Sequence, residues 1–210
     1  MIRSVLPLFL ILAAPALAQP APETPAPAPA PAPVPALVRV TLTTPLGAIV
    51  LGLDKDHAPV TSAYFLKYVD QKRLDGSTFY RAYRITPDGT LGLVQGGVLD
   101  PRKLLPPVAH EPTSMTGLTH TEGAISLARM APGTATANFF IILGDLSSLD
   151  AQPAGKGDPD GYAVFGRVLE GMDVVRKILA APTSPTKGEG SLKGQIIEVP
   201  VPLLSARRTP

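Results

Sequence analysis

Cysteine is absent from the 210 residues. That excludes a disulfide framework, thiol catalysis and lipid attachment to a processed N-terminal cysteine, so stability must come from a single packed core. Charge of one sign is lacking as well. Lys and Arg number 19 against 17 Asp and Glu, for a net charge of +2, which gives no reason to expect a nucleic-acid partner. There is no Gly-rich phosphate loop, no Walker A sequence and no His-Glu-x-x-His. The three histidines, His57, His110 and His120, match no zinc spacing, so a metal site built from His110, Glu111 and His120 is not expected. Ser126 lacks a Gly-x-Ser-x-Gly elbow, which argues against a serine hydrolase. Neither metal nor cofactor is called for.

The N-terminus carries an address. Arg3 is followed by the apolar run Val5 to Ala14 and then by Ala16-Leu17-Ala18, small residues at the two positions a signal peptidase inspects. Residues 1–18 are expected to be a signal peptide cleaved before Gln19, and the run is too short for a membrane span. The mature protein is then exported, periplasmic in a host with an outer membrane and extracellular otherwise, with no transmembrane segment. Residues 19–37 are Pro/Ala-rich, with eight prolines from Pro20 to Pro35 among the chain's 25. Such a stretch buries nothing and favours an extended polyproline II spacer of about 3 Å per residue.

Order is expected from Val38 to about 203, with 204–210 as a tail. Val38, Val40 and Leu42 alternate with Arg39, Thr41 and Thr43, the period of a half-buried strand, and Pro45-Leu46-Gly47 turns the chain into a partner strand at 48–53. A helix is expected over 57–70, capped by Asp56 with Pro59 in its first turn. Strands follow at 78–85, 91–97, 124–128, 138–143 and 162–168, then a helix at 172–180 and a last strand at 195–201. Many short strands and two helices argue for an all-β barrel or sandwich. The long polar connection 100–122 is expected to be functional or ordered by its own contacts.

The motifs that carry chemistry are the segments Asp75-Gly76-Ser77-Thr78-Phe79-Tyr80-Arg81, Val94-Gln95-Gly96-Gly97, Gly123 to Arg129, Ala135 to Ile141 and Gly161 to Val168. In this order and spacing, the stretch from Val38 to Val201 resembles the cyclophilin family of peptidyl-prolyl isomerases, in particular its exported bacterial branch. The resemblance implies a closed eight-stranded antiparallel β-barrel capped by two helices, with a peptide groove on the outer face. It implies that Arg81 donates to the twisted amide, that Phe140 floors a proline pocket walled by Leu93 and Leu149, and that Gln95 either orients Arg81 or bonds substrate backbone. Asn138 and Tyr162 would line the groove, and the main chain of Ala128-Arg129 would pair with the residue before proline. The partners implied are proline-containing peptides and unfolded exported proteins, met by a monomer.

Some groove positions depart from the family pattern. Gly92 stands where a phenylalanine is common, Leu93 replaces methionine, Asn138 replaces glutamine, Ser148 replaces an aromatic ring and Tyr162 replaces histidine. A more open, less aromatic pocket is expected, with low sensitivity to cyclosporin. Two other readings remain: a peptide-binding or chaperone-like module with little turnover, and an envelope structural domain on a Pro-Ala stalk.

Overall fold

The structure, a computed structural model, describes residues 36–210. The expected signal peptide and most of the Pro/Ala linker lie outside the described residues. Strand β1 (Val38–Thr44) pairs antiparallel with β2 (Gly47–Leu53), from Val38 opposite Leu53 to Thr44 opposite Gly47. The turn between them is held by Thr44, whose hydroxyl donates to the Gly47 carbonyl at 2.8 Å and accepts from the Leu46 amide at 3.1 Å. Gly47 turns at φ +132, a backbone state that favours glycine.

Helix α1 (Pro59–Asp70) begins two residues later than the sequence suggests, and Asp56 does not cap it. Asp54 takes the local turn instead, its Oδ1 accepting from the amides of Asp56 at 3.2 Å and His57 at 3.0 Å. The helix start is capped from a distance by Glu111, whose carboxylate accepts from the Val60 amide at 3.1 Å and from the Thr61 amide and hydroxyl, each at 2.6 Å. The capping group is 50 residues away in sequence, beyond the reach of a rule based on local spacing.

Strands β3 (Ser77–Arg84) and β4 (Gly92–Gly97) follow, then the long connection, which contains the short helix α2 (Thr113–Thr116). That connection is ordered by its own contacts. Tyr64 donates to the Pro106 carbonyl at 2.9 Å, and the Leu105 amide donates to the Tyr68 hydroxyl at 2.8 Å. Next come β5 (Ala124–Leu127), β6 (Phe139–Leu143), β7 (Ala163–Glu170), α3 (Met172–Leu179), β8 (Ile196–Leu203) and β9 (Ser205–Arg208).

The strands form one antiparallel sheet in the order β8-β3-β4-β6-β5-β7-β2-β1-β9. Its two ends, β8 and β9, are consecutive in the chain and separated only by Leu204, whose amide donates to the Thr43 carbonyl at 2.8 Å. The last strand thus passes from β3 to β1 and closes the sheet into a nearly complete barrel. The ninth strand is the continuation of the expected eighth, formed by residues read from sequence as a tail. Arg207 and Arg208 fasten it through bidentate pairs with Asp75 and Asp70.

The interior is aromatic and aliphatic. Phe65, Phe79, Phe139 and Phe165 meet with ring centroids 5.1–5.7 Å apart, distances at which edge and tilted ring contacts are favourable. Val175 and Ile178 of α3 enter the same cluster. A second, smaller cluster sits on the outer face: Leu93, Ala124, Phe140, Ile142, Leu146 and Val164. Neighbours in β6 therefore serve different cores, Phe139 and Ile141 inside and Phe140 and Ile142 outside, as strand alternation demands. No helix among the described residues is long and apolar enough to cross a membrane.

Candidate active site

The outer cluster contains Leu93 and Phe140, two of the residues expected at the site. In the strand registers Arg81 lies opposite Gln95, Gln95 opposite Phe140, and Phe140 opposite Ser126. These four form one transverse row across β3, β4, β6 and β5. A second row runs beside it, with Tyr83 opposite Leu93 and Leu93 opposite Ile142. Directly paired residues in adjacent strands stand about 4.5–5.5 Å apart, so residues distant in sequence become contacts.

Arg81 is held rigidly. Its Nε donates to Gln195 Oε1 and its Nη1 to Gln95 Oε1, both at 2.8 Å, and its guanidinium lies 5.6 Å from the Tyr83 ring centroid. Burial pushes its pKa down, and the nearby tyrosines oppose that shift. Among the described residues Nη2 donates to nothing, and none of their buried side-chain nitrogens or oxygens lacks a partner. That nitrogen is therefore open to solvent, fixed in direction and able to donate. Gln95 in turn donates through Nε2 to the Tyr80 hydroxyl at 2.8 Å, and Tyr80 lies 3.3 Å from Asn138 Oδ1.

Phe140 is 4% exposed and stands on a polar support. The His120 ring stacks on it at 5.9 Å, with 11° between planes. His120 Nδ1 is 2.6 Å from Asp150 Oδ1, and Nε2 is 3.1 Å from Ser126 Oγ. A neutral ring with its proton on Nδ1 satisfies both: Nδ1 donates to Asp150 and Nε2 accepts from the serine hydroxyl. The order Ser-His-Asp is that of a hydrolase, yet Ser126 and His120 are both 0% exposed, so no substrate carbonyl can reach the hydroxyl. What the chain does is tie the turn bearing Leu149 to the strand beneath Phe140.

Burial drives the His120 pKa below 6.5, against the raising effect of Asp150. The unfolded imidazole takes up a proton near pH 6.5 while the folded one stays neutral to lower pH. The folded state therefore loses stability as pH falls through that interval. Thermal melts of wild type and His120→Gln from pH 7.5 downward should diverge in slope below pH 6.5, the wild type falling faster. Parallel curves would show that this imidazole does not resist protonation.

The remaining expected residues arrive by other routes. Leu149 and Tyr162 are joined by a backbone bond, Tyr162 N to Leu149 O at 3.0 Å, and the Tyr162 ring meets Phe140 edge-on at 5.4 Å. The Ala128 amide donates to the Asn138 carbonyl at 2.9 Å, which puts the Ala128-Arg129 main chain beside the start of β6. The Arg129 side chain is turned away. Its guanidinium donates to the Gly161 carbonyl and to Asp158, and lies 5.1 Å from the Tyr162 ring centroid, so it braces Tyr162. Ser148 is exposed on the turn Ser147–Leu149.

Gly92 is not an empty seat in the pocket. A Cβ there would come within 2.4 Å of the Tyr83 carbonyl and 3.4 Å of Leu179, so a larger residue would point at backbone and α3. Tyr83 and Leu91 pack on the outer cluster beside it. His110, Glu111 and His120 diverge, to the Asp160 carbonyl, to α1 and to Asp150 respectively. A cavity of about 540 Å³ between β2, β5 and β7 contains none of the expected site residues.

Tyr80, Tyr83, Gln195, His120, Ser126 and Asp150 join the site without having been singled out for it by sequence. Gln195 is 114 residues from Arg81, and nothing in its neighbourhood marks it. His120 and Asp150 lie in irregular segments where no periodicity applies. Tyr80 is hidden by alternation, which places it opposite to Arg81.

Comparison with known proteins agrees with the geometry. Residues 38–200 match the family model described as cyclophilin type peptidyl-prolyl cis-trans isomerase/CLD. A peptidyl-prolyl cis-trans isomerase of Acinetobacter baylyi is 35% identical over 150 residues, covering 69% of this chain and 73% of the relative. Peptidyl-prolyl cis-trans isomerase A of Dickeya dadantii is 38% identical over 150 residues, 69% and 72% of the two chains. Among solved structures, a cyclophilin type isomerase of Cryptosporidium parvum superposes with a TM-score of 0.62 at 16% identity, covering 83% of this chain and 98% of that one. The same protein has also been solved in the presence of the dipeptide Ala-Pro.

Proposed function

The chain belongs to the cyclophilin family and is a peptidyl-prolyl cis-trans isomerase that needs no cofactor, and from that premise we propose that Arg81 is its catalytic residue and that its substrates are X-Pro bonds of exported polypeptides. The observation that carries the catalytic part is the transverse row: a fixed, half-buried guanidinium with a free Nη2 next to an apolar floor at Phe140.

The reaction asks for little more. An X-Pro bond is planar through resonance, with a barrier of about 18–20 kcal/mol, and no covalent bond breaks during rotation. At the twist, resonance is lost and the proline nitrogen becomes pyramidal and basic. A donor placed there binds the twisted state better than either planar isomer, which is what lowers a barrier. Phe140, Leu93 and Leu149 hold the proline ring while the acyl side turns. Gln195 and Gln95 stop Arg81 from following it. Tyr83 and Leu91 supply the apolar wall on the side of Gly92, and Tyr162, braced by Arg129, closes the other side. Proline-containing peptides are the partners this groove fits, with Asn138 and the Ala128-Arg129 main chain aligning the strand of the substrate.

The export part rests on Arg3, the apolar run Val5 to Ala14 and Ala16-Leu17-Ala18. The test has two readouts. Wild-type protein is expected to speed isomerisation of a short Ala-Pro peptide, and protein recovered from its natural host is expected to begin at Gln19 and to fractionate outside the cytoplasm. Saturable peptide binding without rate enhancement would favour the chaperone-like module. A mature protein that still begins at Met1 in the cytoplasm would remove exported chains as substrates.

A further inference from the structure

Strict alternation would place Tyr80 and Arg81 on opposite faces of β3. They are on the same side because the ladder slips between them: Phe79 pairs with Gly96, and Arg81 with Gln95, the very next residue. The pairing with β8 slips at the same point, from Phe79–Val201 to Arg81–Ile196. Tyr80 is the extra residue of a β-bulge, a device that re-aims a side chain next to a functional site. It re-aims the phenol so that Tyr80 and Arg81 both bond Gln95.

The direction of each bond follows from chemistry. A guanidinium only donates, so Gln95 presents its oxygen to Arg81. Its amino group is then the donor to the Tyr80 oxygen, and the single Tyr80 proton goes to Asn138 Oδ1. Asn138 is left with its amino group outward. That nitrogen has no partner among the described residues, and since none of their buried side-chain nitrogens or oxygens goes unpartnered, it faces solvent. Burial also raises the Tyr80 pKa, so the phenol keeps its proton.

We propose that Tyr80 is a positioning residue that sets the polarity of the groove amides, so that Asn138 offers its amino group to a backbone carbonyl of the bound peptide. This rests on the isomerase reading of the groove. The cationic end of the relay, Arg81, acts at the twisting bond, and the Asn138 end selects a carbonyl, an acceptor, at the neighbouring residue. A bare asparagine could turn either end of its amide outward. With Tyr80 in place only one is presented.

The test compares Tyr80→Phe, Asn138→Asp and the double variant, with Arg81→Ala as a control on the premise, using an Ala-Ala-Pro-Phe peptide. Tyr80→Phe frees the amide to flip. Asn138→Asp still accepts from Tyr80 but has no proton to give. Each is expected to lower kcat/KM about fivefold through loss of one hydrogen bond, with the change in KM rather than kcat, and the double variant is expected to be no worse than either single one. Multiplied effects in the double variant, or a Tyr80→Phe enzyme with unchanged KM, would overturn the proposal while Arg81→Ala remains strongly impaired. An Arg81→Ala enzyme as active as wild type would remove the premise, and this proposal with it.

Discussion

Replacing Arg81 by alanine is expected to lower kcat/KM toward an Ala-Pro peptide by about 10²- to 10³-fold, the range seen when one preorganised donor to a developing charge is removed. The role proposed for Arg81 puts the loss in kcat, because a donor that acts on the twisted amide gains its bond at the transition state. At about 1.4 kcal/mol per factor of ten, this corresponds to roughly 3–4 kcal/mol of transition-state binding. Arg81 lies outside the apolar core cluster, so the variant should keep its far-UV spectrum and unfold cooperatively. Arg81→Lys should fall much nearer to alanine than to wild type. Arg81 uses Nε and Nη1 to reach Gln195 and Gln95 and keeps Nη2 in reserve. An ammonium is a point charge on a flexible stem and cannot span that fork. A lysine variant with near wild-type kcat would mean that charge alone suffices and that the two glutamines are incidental.

Which residues share a strand face is legible in the sequence because alternation obeys a simple rule. Leu93 with Gln95, and Asn138 with Phe140, are two apart and emerge on one side, and Phe139 and Ile141 fill the interior as their spacing requires. Where the rule breaks, reading fails. The bulge at Tyr80 adds one residue to the ladder, and no residue type announces it. The place of Gly92 in the order of residues suggests a pocket wall, whereas the backbone aims it at Tyr83 and Leu179. Arg129 is expected at the groove, but its charge is spent on Gly161 and Asp158. The ninth strand has no signature in the sequence, because Ser205–Arg208 carries no alternation of its own and is held by pairing with β1 and by Asp70 and Asp75. In each case the deciding contact is more than 20 residues away in sequence, or is a property of backbone rather than of side-chain type.

Glu111 is the largest such case, and Glu111→Ala is expected to cost about 3 kcal/mol of folding stability. Helix α1 opens with Ala58, which has no side-chain acceptor, and Pro59, which has no amide proton. The first free donors are the amides of Val60 and Thr61, and the Glu111 carboxylate takes both along with the Thr61 hydroxyl. Glu111 is 6% exposed, so water cannot easily replace it, and its negative charge sits at the positive end of the helix dipole. Glu111→Gln should not rescue fully, because with its oxygen kept on Thr61 its amino group would face the Val60 amide, a donor now held at 3.1 Å. Glu111→Asp is a methylene too short to reach two successive amides. Urea unfolding gives the measure: a lower midpoint with an unchanged slope for Ala, and a smaller but clear loss for Gln. None of these bonds touches the Arg81 row, so the rate per folded molecule should remain that of wild type. A loss below about 1 kcal/mol for Glu111→Ala would mean that solvent enters and caps the helix in its place. A lower rate per folded molecule would instead mean that the 100–122 connection, once untied from α1, no longer holds Leu118 and His120 against the outer cluster on which Phe140 rests.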